Sequence, residues 1–380
     1  MKERYCFCKL RGSGNKKGLA CFGAVWYNTV KGTLPERRKR MKLMTFTVPC
    51  YNSAGYMRKC IDSLLPAGED TEIIIVNDGS KDDTGKIADE YAALYPDRVR
   101  VIHQENGGHG EGVNQGLRHA SGLYFKVVDS DDWLDGEALQ KLMARMRELV
   151  GAGTMIDMYV CNYVYEHVAD NTTHVMNYRK NFPHEEICSW EDVRRFGPSQ
   201  YLMMHSVYFR TDLLRAAELE LPKHTFYVDN LYMFKPLPLV QSIYYMPLDL
   251  YRYFIGRADQ SITLENGAKR VDQQILVTRL MVDCFDLREL GKTQKRLQHY
   301  LLHELSMMIL ICSVFTYKND TPERHQNFLA LWEYIRERDP WLYRRLRWRS
   351  NAIFATMRRR PMRRITVLGY RFFKSIFKFG

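Results

Sequence analysis

Between Met44 and Val128 the chain alternates short β-rich runs with longer amphipathic stretches, and few folds accept that rhythm. The runs are "MTFTV" (44–48), "EIIIV" (72–76), "RVRVI" (98–102) and "YFKVV" (124–128), followed by "IDMYV" (156–160). Strands spaced by helical patterns read as βαβ units, which predicts an α/β fold around a mostly parallel sheet. A helix is expected from Ser53 or Ala54 to Leu65 behind an Asn-Ser cap signal, and another over 80–96, opened by Ser80 and acids. A third closes at Ala120-Ser121-Gly122, and a fourth runs from Asp135-Gly136 to about Val150.

In open parallel sheets ligands bind beyond the carboxyl ends of the strands. Here the first strand ends in "VPCYN", the second in "VNDGS" and the fourth in "DSDD", so Pro49, Tyr51, Asn52, Asp78, Gly79, Ser80, Asp129, Ser130, Asp131 and Asp132 all fall on one edge. Each cluster alone fits a turn or a helix cap. Together they point to a pocket holding a hard divalent cation, because like charges so close repel unless a cation lies among them. The loop "QENGGHGEGVNQG" (104–116) lets backbone approach a ligand, but it has neither the position of a dinucleotide fingerprint nor the Lys-Ser/Thr of a P-loop.

Charge bears on the partners. The chain has a formal charge of +12, yet residues 1–40 hold 11 Lys and Arg against two acids, and residues 341–380 hold 12 against none. The 300 residues between them are acidic, with a net charge of −9. An acidic body argues against a nucleic-acid groove, which needs Lys and Arg spread across the folded surface. The nine cysteines are scattered and the closest pair, Cys6-Phe7-Cys8, has no zinc spacing, which fits a reducing cytosolic setting.

Past Tyr251 the strand pattern gives way to helical periodicity over about 270–317 and 322–338. Within it "LSMMILICSVF" (305–315) is too short to span a bilayer and reads as a buried helix. In "RRITVLGYRFFKSIFKF", Ile365, Leu368, Phe372, Ile376 and Phe379 share one face and Arg364, Arg371, Lys374 and Lys378 the other, the pattern of a helix lying on an anionic membrane surface. The expected organisation is a poorly ordered basic extension (1–40), with Met41 an alternative start, then an α/β catalytic domain (41–255), a helical subdomain (256–340) and a basic amphipathic tail (341–380). Nothing in the sequence signals an oligomeric state.

The segments 47–65, 72–84, 106–134 and "FYVDNLYMF" (226–234) resemble, in order and spacing, the family-two glycosyltransferases of the GT-A fold, of the bacterial cell-surface polysaccharide type. The resemblance implies that Pro49, Tyr51 and Asn52 surround a uridine and that Asp78 bonds its uracil. Asp129 and Asp131 would be the ends of an Asp-x-Asp motif, near ribose and on Mg²⁺ or Mn²⁺ respectively, with Asp132 in support. Gly79, Ser80, Asn106, Gly107, Asn114 and Ser130 complete the implied nucleotide-binding set. Asp229 matches the position of a general base, although the Glu that commonly precedes it is Val228 here. In "YRYFIGRADQS" (251–261), Arg257 and then Arg252 are candidates to close over the diphosphate, with surface ion pairs the alternative. His205 and His224 are candidate contacts near the acceptor or metal.

Two departures matter. Gly112-Val113-Asn114 stands where relatives often have Ala-Arg-Asn, and the Gln-x-x-Arg-Trp of processive synthases is missing. The expectation is an inverting, metal-assisted transferase at the inner membrane face that moves one sugar from a nucleotide-sugar of the UDP-sugar class to a lipid-linked or polysaccharide acceptor. A sugar-nucleotide-forming nucleotidyltransferase would want a basic Gly-rich loop after the first strand. A non-catalytic binding module is the other alternative.

Overall fold

Strand β1 (Met44–Cys50) is buried along its whole length, as a strand covered on both faces must be. In this computed structural model, which describes residues 41–167, 171–198, 200–256, 264–356 and 363–369, it forms the centre of the first half of the sheet. Strand β2 (Thr71–Asp78) lies parallel to one side of it and β3 (Val99–Gln104) lies beyond β2. Strand β4 (Tyr124–Val127) lies parallel to its other side. Helices α1 (Met57–Leu64), α2 (Thr84–Leu94) and α3 (His109–His119) are the crossovers. The order β3-β2-β1-β4 reverses between β1 and β4, which puts the topological switch point between "VPCYN" and "DSDD".

Helix α1 starts later than the sequence predicts. Ser53 does not cap it with its side chain: its carbonyl accepts from the Tyr56 and Met57 N–H groups, and its hydroxyl lies 2.8 Å from the Ser130 hydroxyl. The residue is used to tie two strand ends together.

The second half of the sheet is assembled from distant segments. Strand β5 (Trp133–Leu134) precedes α4 (Gly136–Gly151), which Asp135 caps by accepting from Ala138 N at 3.1 Å. Strand β6 (Met158–His167) carries a short antiparallel neighbour, β7 (Thr172–Met176). Then come β8 (Ile187–Cys188) and β9 (Val207–Arg210), which lies antiparallel between β4 and β6. Helices α5 (Thr211–Ala216) and α6 (Val228–Phe234) precede β10 (Ile243–Ile255), which runs parallel to β6. The sequence pattern ends the strands near Tyr251 and the structure carries β10 to Ile255. Pro247 conceals it, since a proline argues against a central strand, and the register slips between Tyr245 and Asp249. The result is a mixed, mostly parallel sheet flanked by helices, the architecture expected.

Beyond residue 263 the chain is helical: α7 (Leu264–Lys269), α8 (Val271–Asp283), α9 (Leu287–Leu290), α10 (Lys295–Lys318), α11 (Pro322–Arg338) and α12 (Pro340–Arg349). Among the described residues α10 is the one helix long and apolar enough to cross a membrane, but 78% of its apolar window is buried inside the protein. Leu342 and Leu346 bury α12 against its neighbours, and the Tyr317 hydroxyl donates to the Ala355 carbonyl at 2.7 Å. Residues 363–369 form a last helical turn with Ile365 and Leu368 exposed and Arg363 paired with Asp320. Phe372, Ile376 and Phe379, and all of residues 1–40, lie outside the described residues.

Candidate active site

The turns after β1 and β2 are stitched to each other. Asn52 takes a left-handed conformation (φ 50°), its N–H donates to the Ser80 hydroxyl at 3.0 Å, and its side-chain oxygen accepts from Lys81 N at 2.8 Å. Gly79 (φ +70°) lies so close to the next loop that a Cβ there would be 2.8 Å from Asn106 N. Asp78 fixes that loop: its carboxylate accepts from Gly107 N at 2.7 Å, Gly108 N at 2.8 Å and Gln104 Nε2 at 2.6 Å, while Asn106 donates to the Asp78 carbonyl. Gly108 (φ +82°) is pressed against His224, whose N–H donates to the Gly107 carbonyl at 2.7 Å. Tyr51 stays half exposed at the rim, a free aromatic face.

Across the switch point the chain turns sharply after β4, with Asp132 N donating to the Asp129 carbonyl at 3.0 Å. That i to i+3 turn puts Asp129 and Asp132 on one side, and with His205 they form a group whose ligand atoms all lie within 4.8 Å of one another. His205 is buried, both its ring nitrogens lack a hydrogen-bond partner among the described residues, and its Nε2 is 3.7 Å from Asp129 and 4.0 Å from Asp132. Buried imidazole nitrogens without partners, aimed at two carboxylates, are the donor set a divalent cation would satisfy. The rings of Tyr251 and Tyr253 hold His205 in place at 4.8 and 4.5 Å.

The two carboxylates are set apart by their surroundings. Asp132 is fully buried, and burial, with the charges of Asp131 and Asp129 added, pushes it well above the usual carboxylate range. It accepts from the Tyr251 hydroxyl at 2.6 Å and from Phe254 N at 2.8 Å, so β10 supplies its supports. Asp129 resists the same burial because His109 and His205 hold it low; His109 Nε2 is 2.8 Å away.

Beneath the group, Lys126 is fully buried and donates to the carbonyls of Met204 and His205 at 2.7 Å and Val207 at 3.2 Å, which anchors the segment bearing His205. Burial pushes its ammonium down to about 7. Asp229, in the first turn of α6, feels the charges of His205, His109 and Asp129, and burial raises it above its ordinary value. Glu304 of α10 lies close enough for Asp229 to act on it; it is fully buried, neither oxygen has a hydrogen-bond partner among the described residues, and burial pushes it up to about 8.

The family model described as Glycosyl transferase family 2 matches residues 45–208, which span both strand-end clusters and His205. Residues 45–208 are thus similar to a glycosyl transferase family 2 domain. EpsH and EpsJ of Bacillus subtilis, both named as glycosyltransferases, are 40% identical over 124 residues and 38% identical over 134 residues. Those stretches cover 32% and 35% of this chain, so it spans about a third of the length of these relatives, 34% and 37%. Glycosyltransferase GlyG of Streptococcus pneumoniae is 28% identical over 219 residues, 51% of this chain and 71% of GlyG. In fold the chain is similar to residues 1–349 of S. aureus TarS, with a TM-score of 0.59 at 18% identity over 87% of this chain and 91% of that one.

The residues expected at the site fall in different places. Asp131, expected as the metal ligand, is outside the Asp129–Asp132–His205 group because it occupies the tip of the turn, half exposed. Asp132 and His205, expected only in support, are in it. Asn114 is buried and bonds Leu221 N and O, both at 2.9 Å, which clamps the 220–221 segment. Arg252 is the ion-pair residue, bonded to Glu166 at 3.0 Å and Asp135 at 3.2 Å. Arg257 lies outside the described residues. Sequence reasoning missed His109, Lys126, Tyr251 and Glu304. His109 stood in the glycine-rich loop and Lys126 inside an apolar run, both visible oddities; Tyr251 and Glu304 carry no local signal.

Proposed function

We propose that the protein is an inverting glycosyltransferase that moves a single sugar from a UDP-sugar to a lipid-linked or surface-polysaccharide acceptor. The observation that carries this reading is the convergence of Asp129, Asp132 and His205 at the switch point, with Asp229 near enough to feel the charges of Asp129 and His205. The match to S. aureus TarS, which was solved in complex with UDP-GlcNAc, supports a nucleotide-sugar donor.

In this reading Tyr51, Pro49 and Asn52 form the uridine wall, and Asp78, with Gly79, Ser80, Asn106 and Gly107, shapes the loops beside the base. Ser130 locks the wall through its bond to Ser53. Asp129, Asp132 and His205 would hold Mg²⁺ or Mn²⁺, with Asp131 adding charge from the turn tip. A bound cation would neutralise the diphosphate as the glycosidic bond breaks. Asp229 takes the proton from the acceptor hydroxyl as its oxygen attacks the anomeric carbon, and the bond electrons leave with the nucleoside diphosphate. A carboxylate lifted by burial is the stronger base for that step. The basic C-terminal segment, with Ile365 and Leu368 exposed, fits work at the inner face of the cell membrane.

The test is release of UDP from a panel of UDP-sugars with Mn²⁺, using wild type and Asp229→Asn. Turnover lost in the variant while UDP affinity holds supports Asp229 as the base. Turnover retained removes it.

A further inference from the structure

A cleft of about 700 Å³ opens in the helical region. Lys295, Arg296, His299, Leu302, His303 and Ser306 recur at three- and four-residue spacing along the face of α10 that lines it. Glu304, which lies near Asp229, falls on the other side of that helix, so the cleft is distinct from the site above.

Its walls are cationic. Arg194 and Arg195 line one side, and Arg345 and Arg349 of α12 line another. The one acid lining it, Glu191, already faces Arg296 at 3.8 Å. Among the described residues no carboxylate pairs with Lys295, Arg194, Arg195, Arg345 or Arg349. The charges of Arg345, Arg195 and Lys295 also reach His299, which burial and then these cations push below its ordinary range. Aromatic rings pack beneath the cleft: Tyr300 lies 5.3 Å from Trp190 and 4.9 Å from Phe196.

Cations gathered in a concave site repel one another and raise the local potential for anions. Five of the six are arginines, whose planar fork matches phosphate oxygens in pairs better than a lysine does. We propose that this cleft is a second ligand site, for a molecule bearing two or more closely spaced phosphate groups. That this molecule is the phosphate-bearing carrier of the acceptor rests on the proposed function. The binding itself does not, and its test needs no sugar donor.

The experiment titrates the full chain, in EDTA, with inorganic tripolyphosphate by calorimetry, and in parallel sediments it with phosphatidylcholine vesicles containing phosphatidic acid. The variants are Arg345→Glu/Arg349→Glu and, should that pair not fold, Arg194→Glu/Arg195→Glu, with Asp129→Ala as the control for the metal site. The expected result is tripolyphosphate binding that weakens by about tenfold or more in either reversed pair and is unchanged in Asp129→Ala. Parallel loss of vesicle binding assigns the phosphates to a lipid; binding of tripolyphosphate alone assigns them to a soluble chain. If wild type binds neither probe, or a folded reversed pair binds both as wild type does, the proposal is overturned.

Discussion

The two halves of the sheet contribute to the site in different ways. In the first, β1 to β4, each strand is joined to the next in sequence by one α-helix, and the polar residues reach the ligand edge because the strands end there. In the second, pairings such as Val160 with Val207 and Met158 with Ile243 join segments far apart in sequence. The groups delivered there, His205, the Tyr251 hydroxyl and Phe254 N, complete and support the acids of the first half. Topology places the acids, and long-range packing decides which of them work together.

The largest effect that can break this comparison separates Asp132 from Asp131. If the second half selects the working acids, Asp132→Ala lowers turnover by about a thousandfold, the scale of losing a main electrostatic contact, and Asp131→Ala lowers it far less. Steady-state kinetics of the two variants at saturating Mn²⁺ decide it. The reverse order would return Asp131 to the metal and leave Asp132 a support.

A smaller effect concerns Lys126, one of the contacts through which the first half grips the second. Lys126→Met removes the donor to three buried carbonyls and should lower stability by about 3 kcal/mol. Denaturant unfolding measures it. An unchanged midpoint would mean that the His205 segment is held by its ring contacts alone.

Glu304 sharpens the comparison through pH. Its ordinary value is 4.5 and burial lifts it to about 8, so the folded chain keeps the proton over a range where the unfolded chain loses it. The stability that the neutral acid allows is complete below 4.5 and is lost as pH rises towards 8. Glu304→Gln should therefore flatten the stability profile between those limits, with its advantage greatest at the alkaline end. Parallel profiles for wild type and variant would show that Glu304 does not titrate there.

The sequence exposes the first half well because its signals are local. Alternating strands and helices, with "VPCYN", "NDGS" and "DSDD" at the strand ends, lead to the correct edge without knowledge of any contact. Asp135 is legible as a cap for the same reason. The second half is less legible: "IDMYV" shows the start of β6, but Pro247 disguises β10, and nothing near Glu304 says that its helix brings it within reach of the Asp229 charge. Asn114 shows the limit of resemblance: its place in the motif matches, but its bonds go to Leu221. Asp131 shows a finer limit, since motif spacing alone does not tell which side of a tight turn a carboxylate takes.

The central claim is that acids from the first half and a histidine from the second share one cation that serves a nucleotide diphosphate. It is tested most directly by calorimetric titration of UDP into the full chain, with and without Mn²⁺, for wild type, Asp129→Ala and His205→Ala. The account predicts that Mn²⁺ strengthens UDP binding in wild type and that both variants lose this gain while remaining folded. Equal UDP affinity with and without Mn²⁺ in wild type, or a full Mn²⁺ gain in His205→Ala, would contradict it.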